Sequence, residues 1–238
     1  MAPVGFSIAF DGERATGMYP ALLQDLTNAT GCQFKIRRVP RARLQTMFEL
    51  GQADLMAPAA RSPDREALGE FVGLVQFRPA VIAVSRERTL PHSLAELVAR
   101  RTDKVAVVRG YTYGPAYDQA MATLRAQHRL LEQADAFGVA RALRVGLAHF
   151  AVMTPNSFIA TLHQEASLSP LIQQLRVVPL AELGWADSGV YLSHRLPEAD
   201  RRQLADAFRQ LARSGRVWQL FNDCYPPGSL KDSLRPLP

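Results

Sequence analysis

The hydrophobic pattern of residues 4–60 switches repeatedly between two periods, and this switching constrains the fold more than any other feature. "PVGFSIAF" alternates like a strand. "GMYPALLQDLTNATG" then sets Leu22, Leu23 and Leu26 on one helical face, with Pro20 in the first turn and Gly31 as the stop. "CQFKIRRV" alternates again. "PRARLQTMFELG" predicts a short helix with Leu44, Met47 and Phe48 on one side and Gly51 at its end, and "ADLMAPA" is an apolar strand. A β-α-β-α-β order predicts a mainly parallel sheet covered by helices.

The pattern restarts near residue 79. Strands are expected at "PAVIAVSR", "KVAVVRG", "AHFAVM", "LRVVPL" and "SGVYLSH". Helices are expected at "SLAELVARR" with a Ser cap, and at "GPAYDQAMATLRAQH", "ADAFGVARALRVG" and "PNSFIATLHQ". The long helix "EADRRQLADAFRQLARSG" carries Leu204, Phe208 and Leu211 as its buried stripe, and "RVWQLFNDCY" follows. The Pro-rich tail "PPGSLKDSLRPLP" is expected on the surface. Two β/α sets predict two lobes, with ligands at the carboxyl ends of strands.

With 238 residues and 47% hydrophobic content, the chain can form a packed core. No run approaches the 18 or so apolar residues of a membrane span. "MAPVGFSIAF" lacks the basic and long apolar regions of a signal peptide as it stands. The net charge of +6 suits nucleic acid, an anionic surface or an anionic ligand. The basic residues are scattered, however, and the one cluster, "KIRRVPRAR", is short, so no nucleic-acid partner is expected. Cys32 and Cys224 form no metal-binding pattern and are read either as one disulfide or as two thiols. The five histidines lack ligand spacing, and His149, at a strand start, is read as structural. No metal, cofactor, nucleophile elbow or P-loop is predicted.

The stretch "MAPAARSPDREALGEF" ends a small-residue strand in a Ser-Pro-x-Arg hook. It is either a turn leading into a solvated helix or a grip on a ligand. In the first case Arg65 would pair with Asp64 or Glu66.

"GQADLMAPAARSPDREALGEFVG", "KVAVVRGYTYGPAYDQA" and "SGVYLSHRLPEADRRQLADAFRQLARSGRVWQLFNDCY" together resemble family 3 periplasmic solute-binding proteins, over nearly the whole chain and in the same order. These are the receptors of polar amino acid transporters. The resemblance implies an α/β, two-lobe periplasmic-binding-protein fold, with residues 1–77 and 186–238 in one lobe and 78–185 in the other. Each lobe would be a mostly parallel sheet flanked by helices. A two-crossover hinge would lie near 77–78 and 183–187. It further implies a periplasmic monomer that binds a small carboxylate-bearing solute, partnered by an inner-membrane ABC-type permease.

By the same resemblance Arg65 is the bidentate partner of a ligand carboxylate, a task suited to the planar guanidinium fork. Ser62 supplies a hydroxyl, and Ala59 and Ala60 let backbone groups approach. Gly110, Tyr111 and Thr112 form the second-lobe turn that meets the ligand's anionic end at a helix start. Thr112 could equally be an N-cap. Arg109 could face either the ligand or water.

The chain departs from the family at Thr154, where an Asp would pair with an ammonium group; Asp11, next to Phe10 after the first strand, is the expected replacement. Arg41 and Arg43 stand where an aromatic is usual and oppose the helix dipole, so a carboxylate partner such as Asp54 or an anionic ligand is expected for them. The competing readings are a cyclohexadienyl-dehydratase-like enzyme, with Asp11, Glu13 or Glu70 as general acid, and a sensory module without a transporter.

Overall fold

Helices form where caps and periodicity agree. The computed structural model describes residues 1, 4–85 and 89–238, with the side chains of Arg41 and Ala42 outside that set. A 3-10 turn at Gly5–Ser7 leads into the hairpin β1 (Ala9–Asp11) and β2 (Arg14–Thr16), followed by α1 (Met18–Thr30). Gly31 ends α1 at φ 77°, a left-handed position that glycine occupies without a Cβ penalty, and its N–H closes on Thr27 O. Next come α2 (Arg41–Glu49), β3 (Leu55–Ala60), α3 (Pro63–Glu66) and β4 (Gly69–Phe77). The middle of the chain forms β5 (Ala80–Ala83), α4 (Leu94–Ala99), β6 (Val105–Val108), α5 (Pro115–Ala126), β7 (Leu130–Gln133), α6 (Ala136–Arg144), β8 (Phe150–Met153), α7 (Pro155–Gln164) and β9 (Arg176–Pro179). The chain closes with β10 (Ala186–Ser193), α8 (Glu198–Arg213), α9 (Arg216–Cys224) and β11 (Leu234–Pro236). The last residue of the expected strand "PAVIAVSR", Arg86, lies outside the described residues.

Two compact units result. Unit 1 holds Met1–Phe77, Ala186–Pro227 and Leu234–Pro238; unit 2 holds Arg78–Trp185 and Gly228–Ser233. Residues 228–233 were expected with the first lobe and on the surface. Instead Ser233 is fully buried, and its hydroxyl accepts from Asn156 N (2.9 Å) and donates to Asn156 Oδ1 (2.8 Å), so it caps the start of α7.

Unit 1 contains a four-stranded sheet in the order β11-β4-β10-β3. Every pair in it is antiparallel, which corrects the expected parallel arrangement. β10 returns from late in the chain and inserts between β3 and β4, and alternation along a strand carries no information about its direction. α1 packs against α8 and α9, with Met18, Leu22, Leu26, Ala205 and Phe208 completely buried. On α2, Leu44 and Phe48 meet Val39, Met56, Ala59 and Tyr191. "CQFKIRRV" is a second correction: it forms no strand, and among the described residues its backbone-to-backbone bonds are those of Arg37 and Val39 with Met1. The expected strand at "PVGFSIAF" shrinks to β1 after the 3-10 turn.

Unit 2 is a three-layer sandwich around a mixed sheet, β7-β6-β8-β5-β9. The β6 pairs with β7 and β8 are parallel, while those of β5 with β8 and β9 are antiparallel. β6 is buried on both faces, as parallel central strands are. Val105 and Val107 face Tyr117, Met121 and Leu124 of α5, whereas Ala106 and Val108 face α6 and α7. Arg129, almost fully buried, gathers the α4 end by donating to Leu97 O, Val98 O and Asp103 O. Burial lowers its pKa. His149 Nδ1 accepts from Lys104 N at 2.9 Å, tying the starts of β6 and β8.

Candidate functional site

In unit 1 the hook forms because β3 ends at Ala60 and Pro63 opens the single turn of α3 with its fixed φ. Ser62 stands at the N-cap, and its hydroxyl makes no capping hydrogen bond. The hook is instead held through its backbone. The Tyr191 hydroxyl accepts from Ser62 N at 2.8 Å and donates to Ser62 O at 3.2 Å. Burial is the main cause that pushes the Tyr191 pKa up.

Arg65 does not follow the simple helix-surface alternative. Its Nε donates to Gln45 Oε1 (2.8 Å) and its Nη1 to Ala60 O (3.0 Å), so the guanidinium is fixed across the end of β3 and the face of α2. Glu66 belongs to Arg61 instead, at 2.7 Å. That hydrogen bond is the largest cause raising the Arg61 pKa. Arg61 also lies over the Phe71 ring, 5.9 Å from its centroid. Arg65, Ser62 and Ala60 are thus brought together, joined by Gln45 and Tyr191, which sequence reasoning missed. Tyr191 left one signal: a buried tyrosine in an apolar strand needs a partner for its hydroxyl.

The other unit 1 candidates sit apart from the hook. Phe10 and Asp11 lie on the β1–β2 hairpin, with Arg38 over the Phe10 ring at 5.8 Å; Asp11 and Glu13 are exposed. Arg43 is exposed, and the side chain of Arg41 lies outside the described residues. Glu70 is held by Arg209 at 2.5 Å and by Arg201 at 3.6 Å, on the α8 side of the sheet. Cys32 and Cys224 are free, half-buried thiols, and burial raises the Cys224 pKa.

In unit 2 the turn after β6 places Gly110 at φ 80°. Tyr111 N donates to Val108 O, and the Tyr111 ring meets Tyr113 edge-on at 6.4 Å. The Thr112 hydroxyl donates to both oxygens of Asp118 (2.8 and 2.9 Å) and accepts from Gly114 N (3.2 Å). An acid therefore stands in the first turn of α5, where it matches the helix dipole. Arg109 is exposed. Thr154 donates its hydroxyl proton to Ser157 Oγ at 2.9 Å.

No family model and no curated protein matches the sequence. Solved structures do. A histidine kinase sensor domain with similarity to periplasmic binding proteins matches at TM-score 0.75 and 15% identity, over 94% of this chain and 96% of that one. The substrate-binding protein of an amino acid ABC transporter matches at 0.71 and 13%, over 94% and 96%. The ancestral amino acid-binding protein AncCDT-1, a precursor of cyclohexadienyl dehydratase, matches at 0.73 and 15%, over 93% and 90%. At such identities the shared property is the fold: this chain has the two-lobe α/β fold of the periplasmic binding proteins.

Proposed function

We propose that the chain is a non-catalytic, periplasmic solute-binding receptor for a small solute bearing a carboxylate, an amino acid or related organic anion, serving an ABC-type permease. One observation carries this reading. The Arg65 guanidinium is fixed in advance at the end of β3 by Gln45 and Ala60 O. A guanidinium already oriented loses less freedom when it forms a bidentate pair. The binding-protein matches agree with this reading. The dehydratase alternative gains little, since Asp11 and Glu13 are exposed and Glu70 is engaged by two arginines.

A thermal-shift screen over amino acids, dicarboxylates and prephenate tests the class; a ligand at about 100 times its Kd adds roughly 2.7 kcal/mol. Amino acids are expected to raise Tm. Calorimetry then tests the grip. Arg65→Ala should weaken binding at least about tenfold, because charge-assisted bonds contribute about 1.5–3 kcal/mol each. Arg65→Lys should recover part of the loss. Unchanged affinity in Arg65→Ala would rule out the carboxylate grip, and turnover of prephenate would favour the enzyme.

A further inference from the structure

The loop between α6 and β8 runs Arg144-Val145-Gly146-Leu147-Ala148-His149. Gly146 ends the helix at φ 72°, and its N–H donates to Leu143 O. A hydrophobic residue after such a glycine commonly packs back onto the last turns of its helix. Leu147 does not. It is 59% exposed, and Val145, on the other side of the glycine, is 60% exposed. Among the described residues Leu50 is the one other large hydrophobic side chain exposed to this degree. Scattered aliphatic residues on a surface are ordinary, whereas two on one loop concentrate apolar surface at one point.

The surroundings of that point are cationic. β6 runs parallel to β7 and β8, so the loops that lead into the three strands share one end of the sheet. Backbone bonds tie these loops together: His149 N donates to Lys104 O, and Val105 N to Arg129 O. Arg101, Lys104 and Arg144 are exposed there. The acids at this end are already engaged. Asp103 is buried, 3.8 Å from Arg100 and 3.6 Å from His149, and Glu165 lies 3.6 Å from Arg141. Among the described residues no carboxylate pairs with Arg101, Lys104 or Arg144. The Arg144 guanidinium donates to Ser167 O, a neutral acceptor that leaves its charge in place. Gly110 and Thr154 follow the opposite ends of β6 and β8, so this surface is separate from the candidate solute residues.

We propose that this end of unit 2 docks on an anionic lipid surface. Val145 and Leu147 enter the headgroup layer, while Arg101, Lys104 and Arg144 face the lipid phosphates. Charge complementarity selects a negative partner. The composition selects lipid over protein: aliphatic side chains among cations suit a membrane interface, whereas protein interfaces favour aromatic residues and are poor in lysine. Two side chains bury less than one acyl chain does, so the contact is weak and reversible. It does not depend on which solute the chain binds.

Flotation of the full chain with vesicles tests this. At about 50 mM salt the chain should bind vesicles of equal parts phosphatidylglycerol and phosphatidylcholine, and pure phosphatidylcholine at least about tenfold more weakly. Salt at about 1 M should release it, because the screening length falls to about 3 Å. Val145→Ser with Leu147→Ser should weaken binding at least about fivefold. Arg101→Gln, Lys104→Gln and Arg144→Gln together should weaken it at least about twentyfold, each cation contributing about fivefold near such a surface. The same charge change at exposed Arg14, Arg202 and Arg213 of unit 1 should cost less than about threefold. Leu147→Trp should give a blue-shifted emission on the anionic vesicles that the parent lacks. No binding to anionic vesicles would overturn the proposal. So would equal losses in the two triple variants, which would mean attraction by net charge alone. Full binding by the Ser variant without a shift in Leu147→Trp would overturn it too. A dimer in light scattering that the Ser variant abolishes would make a second copy the occupant, and would also overturn it.

Discussion

Two buried tyrosines with opposite hydrogen-bond status show how much one hydroxyl decides. Tyr191 both accepts from and donates to the backbone of Ser62. Tyr191→Phe leaves that amide without its partner and should cost about 1–3 kcal/mol in urea unfolding. Among the described residues the Tyr117 hydroxyl of unit 2 has no hydrogen-bond partner, and burial pushes its pKa far up. Tyr117→Phe removes a desolvated oxygen that makes no bond, so stability should stay level or rise; a loss beyond about 1 kcal/mol would show that the hydroxyl has a partner. At this scale the sequence was legible where the geometry depends on local order. Arg65 and Ser62 follow from their spacing after a strand. Gln45 and Tyr191 do not, because Tyr191 reaches Ser62 across 129 positions of chain.

Elements were legible wherever a cap or a period announced them. Gly31 ends α1, Ser93 caps α4 by accepting from Glu96 N, and Leu204 and Phe208 mark the buried side of α8. β4 was missed because "GEFVGLVQF" is buried in the irregular order of a strand covered on both faces. Two glycines of this sheet have distinct roles. At Gly189 of β10 an added Cβ would collide with the carbonyl oxygen of Val72 in β4, a backbone atom that cannot move aside without breaking the ladder. At Gly73 the nearest atom is a Leu237 methyl at 3.5 Å. Gly189→Ala should therefore cost about 3 kcal/mol or prevent folding, while Gly73→Ala should be tolerated, as read from urea midpoints. Equal effects would show that β10 does not approach β4 this closely. Strand direction was not legible, since the period-two pattern is the same whichever way the partner runs.

For the whole molecule, the restart of the β/α pattern after residue 77 made two units readable. The tail's return to unit 2 was hidden, because nothing in "GSLKDS" signals that Ser233 will cap a helix begun at Pro155. A chain ended at Pro227 should lose hydrogen-exchange protection at Asn156 N and Arg78 N, the amides that bond Ser233. Retained protection at both would mean the tail is dispensable. The same threading has a consequence for synthesis on the ribosome. β3 and β4 emerge early, yet the strand that joins them, β10, is made only after all of 78–185. Their facing edges stay unpaired through that interval, which is the state in which strands recruit wrong partners. Unit 2 cannot complete itself early either, because its helix cap, Ser233 in the segment 228–233, arrives with only Leu234–Pro238 still to follow. Neither half can finish ahead of the other, so a slow translation rate or a chaperone that shields strand edges should matter more to the yield of this protein than to that of one whose domains are each made from a single stretch.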